Sequence, residues 1–522
     1  MTLRSWAERP ARLLATPWWR AVAALAAGAL PALAFPAPAL WWLAWAALVP
    51  WLLLLRSAAS ARRAALEGWL GGAGFLLAVH HWLLPSLHVF ILVLAALLGL
   101  LWLPWGLVVH RLLGGAPGPG RVAAALLVVP CGWLLVELVR SWEYLGGPWG
   151  LLGASQWQVA PALRLASVGG VWLVGLVLVA VNTALAALLC APRGRAAAAT
   201  GLTGCAVLVC GVWLCAPVPA LTGTARIAVV QPGIVDGTGS VQHRFDVQED
   251  LTRRLAGQRL DLVVWGESSV GQDLGRRPDL SARLAALSRT VGADLLVNVD
   301  ARRSDKPGIF KSSVLIGPDG PTGDRYDKMR LVPFGEYVPA REVLGWATSV
   351  GKAAGEDRMR GERQVVMRLP DTRGSGLRLG PLVCFESAFP DMTRQLTRDG
   401  AQVLVTQSAT STFQDSWAPA QHASLAALRA AETWRPVVHA TLTGVSTVAD
   451  PRGRITGERL GTDRSAAAVY DVPLARGESP YVRAGDWAVY GALAVLAVHC
   501  AAEFFRWAAI RGARRGGGPA GG

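Results

Sequence analysis

The sequence predicts a polytopic α-helical membrane domain of eight spans joined to an extracytoplasmic α/β domain. Three observations carry this. Apolar residues make up 52% of the chain against 17% charged, an excess that an ordinary soluble enzyme does not show. Apolar stretches close to the ~20 residues a helix needs to cross the hydrocarbon core recur between residues 21 and 217 and again near 487–505. Between them, residues 218–484 are polar and alternate short β-rich runs with amphipathic stretches, the pattern of an α/β or layered α–β sandwich.

Seven spans precede the polar part, at roughly 21–38, 39–55, 65–84, 88–110, 121–139, 168–190 and 196–217. The first is interrupted by Pro31, Pro36 and Pro38, which cannot donate to a helical ladder. Arg4, Arg9 and Arg12 before an Ala-rich run also fit a signal peptide, but further spans follow at once, which favours retention. Positive residues beside a span resist translocation. Arg4, Arg9, Arg12 and Arg20, then Arg56, Arg62 and Arg63, then Arg111 and Arg121, then Arg193 and Arg195, and finally Arg506, Arg511, Arg514 and Arg515 all fall on the cytoplasmic side of an inside start. The reading is therefore a multi-pass protein with three parts: 1–217 in the membrane, 218–484 outside, and 485–522 as a last span and cytoplasmic tail ending in a disordered Gly-rich 516–522. The outer loop 140–167, rich in tryptophan, is placed at headgroup level facing the polar part. Glu137 and Arg140, one turn apart, are expected to pair.

The net charge of +15 raises the question of nucleic acid, but the arginines flank apolar runs, and only Lys306, Lys311, Lys328 and Lys352 are lysine; no nucleic-acid partner is expected. Neither a metal-ligand cluster nor a cofactor fingerprint is present in the sequence.

In the polar part the strand runs are 226–231, 261–267, 293–299, 312–317, 379–386, 401–407 and 437–442, with helical stretches near 241–256, 278–290 and 417–434. Glu267 follows the run LDLVVW, which projects it from a strand's carboxyl end, where α/β sheets place their sites; as a lone acid it also reads as a turn or capping residue. Cys384, in LVCFES, is the only cysteine of the polar part. An unpaired thiol in an exported domain is open to oxidation, so it reads either as a small buried hydrophobe or as a nucleophile. Lys328 is a lysine where arginine is the default, which hints at a need for a compact ammonium. Together the three make an acyl-transfer set: a thiol that is mostly protonated at neutral pH, a carboxylate to take its proton, and a cation to stabilise the thiolate and the later oxyanion.

KMRLVPFGEYVP (328–339), CFES (384–387), WGES (265–268) and RAAETWRPVVHATLTGVS (429–446) make residues 225–470 resemble the carbon–nitrogen hydrolase (nitrilase) superfamily, and eight spans around such a domain resemble the apolipoprotein N-acyltransferase family. The resemblance implies an αββα sandwich, with Glu267 as general base, Lys328 as the oxyanion-side cation and Cys384 as nucleophile. It implies that Glu336 orients Lys328 or handles the incoming amine, and that Phe385 and Glu386 shape the substrate pocket. Its implied reaction moves an acyl chain from a membrane phospholipid donor, through a Cys384 thioester, to the N-terminal amine of a diacylated lipoprotein acceptor at the plasma (inner) membrane. The chain departs from the family pattern at Phe385, where an aromatic hydroxyl is usual, at ATSTFQ (409–414), and in lacking tryptophan between Trp213 and Trp265. A membrane-tethered amidase and a catalytically lapsed envelope scaffold are the alternatives; retention of the three residues argues against the scaffold.

Overall fold

The computed structural model describes residues 16–234, 240–345, 355–370 and 376–516; Arg4, Arg9, Arg12 and the tail 517–522 lie outside them. Among the described residues, six helices are long and apolar enough to cross a membrane: Ala61–Leu87, Phe90–Leu113, Pro119–Arg140, Ala160–Cys190, Pro192–Cys215 and Trp487–Arg511. The first two predicted spans are shorter than the ~20 residues of a full crossing. Pro17–Ala29 gives way to a 3₁₀ turn, Leu30–Ala34, and the next stretch is a second turn, Trp41–Trp45, followed by Val49–Arg56. The cause is proline: Pro31 sits in the first turn and Pro36 and Pro38 follow it, and each removes a backbone donor.

These short pieces still make a round trip. Arg20 reaches Leu54 O at 2.8 Å and Glu67 at 2.7 Å, while Arg56 reaches Leu113 O at 3.1 Å and Gly115 O at 2.9 Å. The arginine-bearing loops thus share one end of the helices. At the other end Gln156 Nε2 donates to Trp41 O at 2.8 Å. Glu137 and Arg140, expected to pair, instead hold the loop that follows their helix: Glu137 accepts Leu152 N at 2.7 Å, and Arg140 donates to Trp149 O at 2.6 Å.

Each of the seven predicted strand runs contains a strand, but the run 379–386 is extended only to Val383 and turns into a 3₁₀ helix at Cys384. The first sheet contains β1 (Ala220–Gln231), β2 (Leu262–Trp265), β3 (Asp294–Arg302), β4 (Ile309–Gly317) and β5 (Gly320–Asp327); the second contains β6 (Met367–Arg368), β7 (Arg378–Val383), β8 (Val403–Ser408), β9 (Val437–Thr441), β10 (Ser446–Ala449) and β11 (Ile455–Leu460). The last strand, β12 (Ala466–Arg476), returns to the first sheet, giving orders β12-β1-β2-β3-β4-β5 and β11-β10-β9-β8-β7-β6. The central pairs β1–β2–β3 and β7–β8–β9 are parallel.

Residues alternating along these strands face each other between the sheets, among them Ile227, Val229, Val264, Leu379, Val403 and Val438, all fully buried or nearly so. Their neighbours, such as Val230 and Val263, face outward under helices Ser240–Arg253 and Pro278–Val291. On the second sheet the outer layer is helices Pro390–Arg398 and Ala418–Thr433. Four layers result, α–β–β–α. The last helix is buried on every residue except Ala420, because the helix Ala160–Cys190 covers the face turned away from the sheet.

That covering helix is broken at Gly169–Gly170. Gly170 has φ +70°, and a Cβ there would lie 2.7 Å from the Tyr481 ring, so only glycine fits both the backbone and the space. The break frees the Val171 N–H, which donates to Glu432 Oε1 at 2.7 Å. Burial pushes the Glu432 carboxyl up to about 7, even with the Arg429 guanidinium 3.1 Å away. A carboxyl whose folded value lies above its unfolded ~4.3 contributes stability that is present at low pH and lost as pH rises through about 7. The thermal midpoint of the wild type is therefore expected to fall between about pH 4.5 and pH 7 more steeply than that of Glu432→Gln, which keeps an acceptor for Val171 and does not titrate. Parallel pH slopes in the two proteins would remove Glu432 as the source.

Candidate active site

Glu267, Lys328, Cys384, Phe385 and Glu386 stand at or just beyond strand ends, Glu336 lies in the loop after β5, and the ends from both sheets meet. β2 delivers Glu267, whose backbone N–H donates to Ser408 O at 3.1 Å, tying the end of β2 to the end of β8. Lys328 directly follows β5 and Cys384 directly follows β7. Cys384 opens a 3₁₀ turn and takes φ +53°, a left-handed conformation that a non-glycine residue adopts at a cost of order 1 kcal/mol. The sharp turn lifts the sulfur off the strand.

The charges form a closed ring. Glu267 Oε1 is 2.8 Å from Lys311 Nζ and 3.3 Å from Lys328 Nζ; Glu336 Oε1 is 2.8 Å from Lys328 Nζ and 3.0 Å from Lys311 Nζ. Glu336 Oε2 accepts Val332 N at 2.8 Å, which fixes its direction. Glu267, Lys328 and Glu336 are all buried. Burial alone would raise the Glu267 carboxyl, but the ammonium groups of Lys311 and Lys328 hold it below the usual carboxylate range. The Cys384 thiol goes the other way, pushed up to about 12 by burial and then by the charge of Glu267, against the two lysines. At rest the buried thiol keeps its proton and the neighbouring carboxylate is ionised. That pairing suits deprotonation of the nucleophile as it attacks.

Phe385 and Glu386, next to the nucleophile in sequence, are both buried. Glu386 is fully buried, and its two oxygens accept Tyr326 OH (2.7 Å), Met329 N (2.7 Å), Arg330 N (3.1 Å) and Val383 N (2.8 Å). One carboxylate thereby fixes both the residue before Cys384 and the loop after Lys328. Phe385 meets Phe389 edge-on, with centroids 5.0 Å apart, and packs on Gly147. Gly147 belongs to the tryptophan-rich loop of the helical half, and a Cβ on it would sit 2.5 Å from the Phe385 ring. The same loop clasps the α/β half through Glu143–Arg360 at 2.8 Å and through Trp149 Nε1 donating to Gln421 Oε1 at 2.8 Å.

Sequence reasoning missed Lys311 and His422. The scarcity that marked Lys328 marked Lys311 equally, but nothing local says that β4 turns it toward Glu267. His422 touches Ser408 Oγ through Nδ1 at 3.0 Å and Cys384 O through Nε2 at 3.0 Å. A carbonyl only accepts, so Nε2 carries the proton; burial lowers its pKa to about 4, so it is neutral at physiological pH. It holds the nucleophile turn in place, and Ser408 Oγ, 3.7 Å from Sγ, with it.

Lys311→Met is expected to move the acid limb of the pH profile for acylation upward by on the order of one pH unit, because one of the two cations depressing Glu267 is lost. An unmoved limb would show that Lys311 does not govern that carboxylate.

A thiol, a carboxylate and an ammonium at the joined strand ends of an αββα sandwich agree with a match of residues 226–479 to the carbon–nitrogen hydrolase family. Residues 27–184 match the apolipoprotein N-acyltransferase N-terminal domain. Over 519 residues the chain is 33% identical to the apolipoprotein N-acyltransferase of Azotobacter vinelandii, covering 93% of this chain and 95% of that one. Identity to the proteins of that name from Pseudomonas aeruginosa and Geobacter metallireducens is 31% (93% and 96% covered) and 29% (92% and 95% covered). The chain belongs to the apolipoprotein N-acyltransferase family.

Proposed function

We propose that this enzyme moves an acyl chain from a membrane phospholipid to the N-terminal amine of a diacylglyceryl-cysteine lipoprotein, with Cys384 as the covalent carrier. The observation that carries the reading is the meeting of Cys384, Glu267 and Lys328 beside a wall built by the helical half. Glu267 takes the Sγ proton as sulfur attacks the ester carbonyl. The ester C–O bond breaks, and Glu267 returns the proton to the departing lysophospholipid alcohol. The lipoprotein amine then attacks the thioester, its proton passing by Glu267 to the released sulfur, and an amide is left. Of the three protons on Lys328 Nζ, two point to Glu267 and Glu336. The third has no acceptor among the described residues and is directed to the oxyanion formed in each step.

The membrane part has a physical reason. Both substrates are held in the bilayer by ~0.8 kcal/mol per buried CH₂, so the site must open at headgroup level. In the proposed arrangement 1–217 crosses seven times, 218–484 is the extracytoplasmic catalytic part, and 485–522 makes the eighth crossing of the plasma (inner) membrane. The round trip between Arg20 and Arg56 supports counting the two short segments as crossings. The shared end of the arginine loops supports a cytoplasmic assignment for that end, opposite the α/β half.

Purified protein given a phospholipid and a diacylated lipopeptide is expected to form a thioester on Cys384 and then the triacylated peptide. Free fatty acid as the only product would make it a hydrolase, and the absence of any acyl-enzyme would make it a scaffold.

A further inference from the structure

A cavity of about 550 Å³ lies where helices Ala160–Cys190 and Arg195–Cys215 meet the α/β half, and neither Glu267, Lys328 nor Cys384 lines it. Its volume is within the ~300–1,000 Å³ of small-molecule sites. Arg164, Arg452, Arg454 and Arg459 line it, together with Trp157 and Trp213. Among the described residues, none of the four guanidinium groups is in an ion pair with a carboxylate. The only acid held to this turn, Asp450, is occupied with the backbone N–H groups of Arg452 and Arg454 at 2.8 and 2.9 Å. Arg164 Nη2 donates to Ala216 O at 2.6 Å, but Arg164 Nε and Trp157 Nε1 are buried with no hydrogen-bond acceptor among the described residues. The wall is thus rich in donors and cations and is completed by the apolar Leu163, Val218 and Pro219.

The two buried donors without acceptors are costly, and the exposed Arg452, Arg454 and Arg459 add positive charge to the same lining, so the complement is an anion made only of acceptors. A phosphate meets that requirement. Trp213 stands two residues before the end of its helix, and the chain enters β1 at Ala220; tryptophan at such a junction belongs to the headgroup level. We infer that this cavity binds the phosphodiester headgroup of an anionic phospholipid, at a second site separate from the cleft around Cys384. The lipid bridges the membrane helices and the β10–β11 turn, with the glycerol end against the apolar wall. The inference stands on this cavity and does not require the acyl-transfer reading.

The test uses the full-length protein in detergent, incubated with diether phosphatidylglycerol or diether phosphatidylcholine, which offer no ester to Cys384, and retained lipid is counted by native mass spectrometry. Wild type is expected to retain phosphatidylglycerol in preference to phosphatidylcholine. At about fivefold per arginine near a membrane surface, R452Q/R454Q/R459Q is expected to weaken phosphatidylglycerol retention on the order of 10²-fold. R452K/R454K/R459K, which keeps the charge, is expected to keep most of the preference and so to separate binding from folding. Equal retention by wild type and the glutamine variant would overturn the proposal. Displacement of the lipid by millimolar inorganic phosphate would overturn it too, by making the cavity a site for the free ion.

Discussion

Cys384→Ala is expected to form no hydroxylamine-labile acyl adduct and to yield no triacylated lipopeptide, while its thermal midpoint stays close to that of the wild type. The expectation follows from the sulfur's surroundings: it is the only thiol of residues 218–484, and it stands beside the ionised Glu267. Alanine keeps the left-handed turn no worse than cysteine does, since both carry only a Cβ against the backbone. The braces of the turn, Glu386 and His422, bind backbone atoms of Val383 and Cys384 and survive the change. Cys384→Ser sharpens the point. A hydroxyl is a far weaker acid than a thiol, so the same base deprotonates it poorly, and activity is expected to drop by on the order of 10³-fold or more. Residual transfer by the alanine protein, measured with labelled donor, would move the covalent step to another residue or abolish the need for one.

Lys328→Arg is expected to lower acylation by on the order of 10²-fold or more, comparable to removal of an oxyanion donor. The ammonium is a point-like group held between two carboxylates 2.8 and 3.3 Å away, with no exposed side-chain surface. A guanidinium is planar and wider and aims its donors in a fixed fork. It satisfies Glu336 and Glu267 only by displacing them or by turning its remaining N–H groups from the oxyanion position. Lys328→Met is expected to cost more, since it also leaves Lys311 as the only cation in the ring with Glu267 and Glu336. Single-turnover acyl-enzyme formation measures both, and near wild-type rates in the arginine variant would take Lys328 out of the chemistry.

Legibility in the sequence followed locality. The seven strand runs were readable because Val, Leu and Ile cluster between turn residues, the signature of strands buried on both faces. GPTGDRYD, ITGERL and AAAVYDVPLAR were not, because glycine, proline and charge hide β5, β11 and β12, which lie at or near sheet edges where such residues are tolerated. Glu267, Lys328 and Cys384 stood out because each sits at the end of a recognisable motif or is rare in its part of the chain. Lys311 and His422 did not, because their partners lie on other strands: Glu267 comes from β2, Ser408 from β8 and Cys384 from the end of β7. The first two spans were overestimated in length because hydropathy counts Pro31, Pro36 and Pro38 as mild, whereas the backbone counts each as a missing donor.

The helix Ala418–Thr433 has no face of its own turned to water. A fragment cut out as residues 218–484 would bare the side that rests on Ala160–Cys190, along with the Phe385 and Trp434 surfaces, and would clump rather than dissolve. In this enzyme the bilayer part acts as the fourth wall of the catalytic half, so the two are expected to be made, extracted and purified only as one piece.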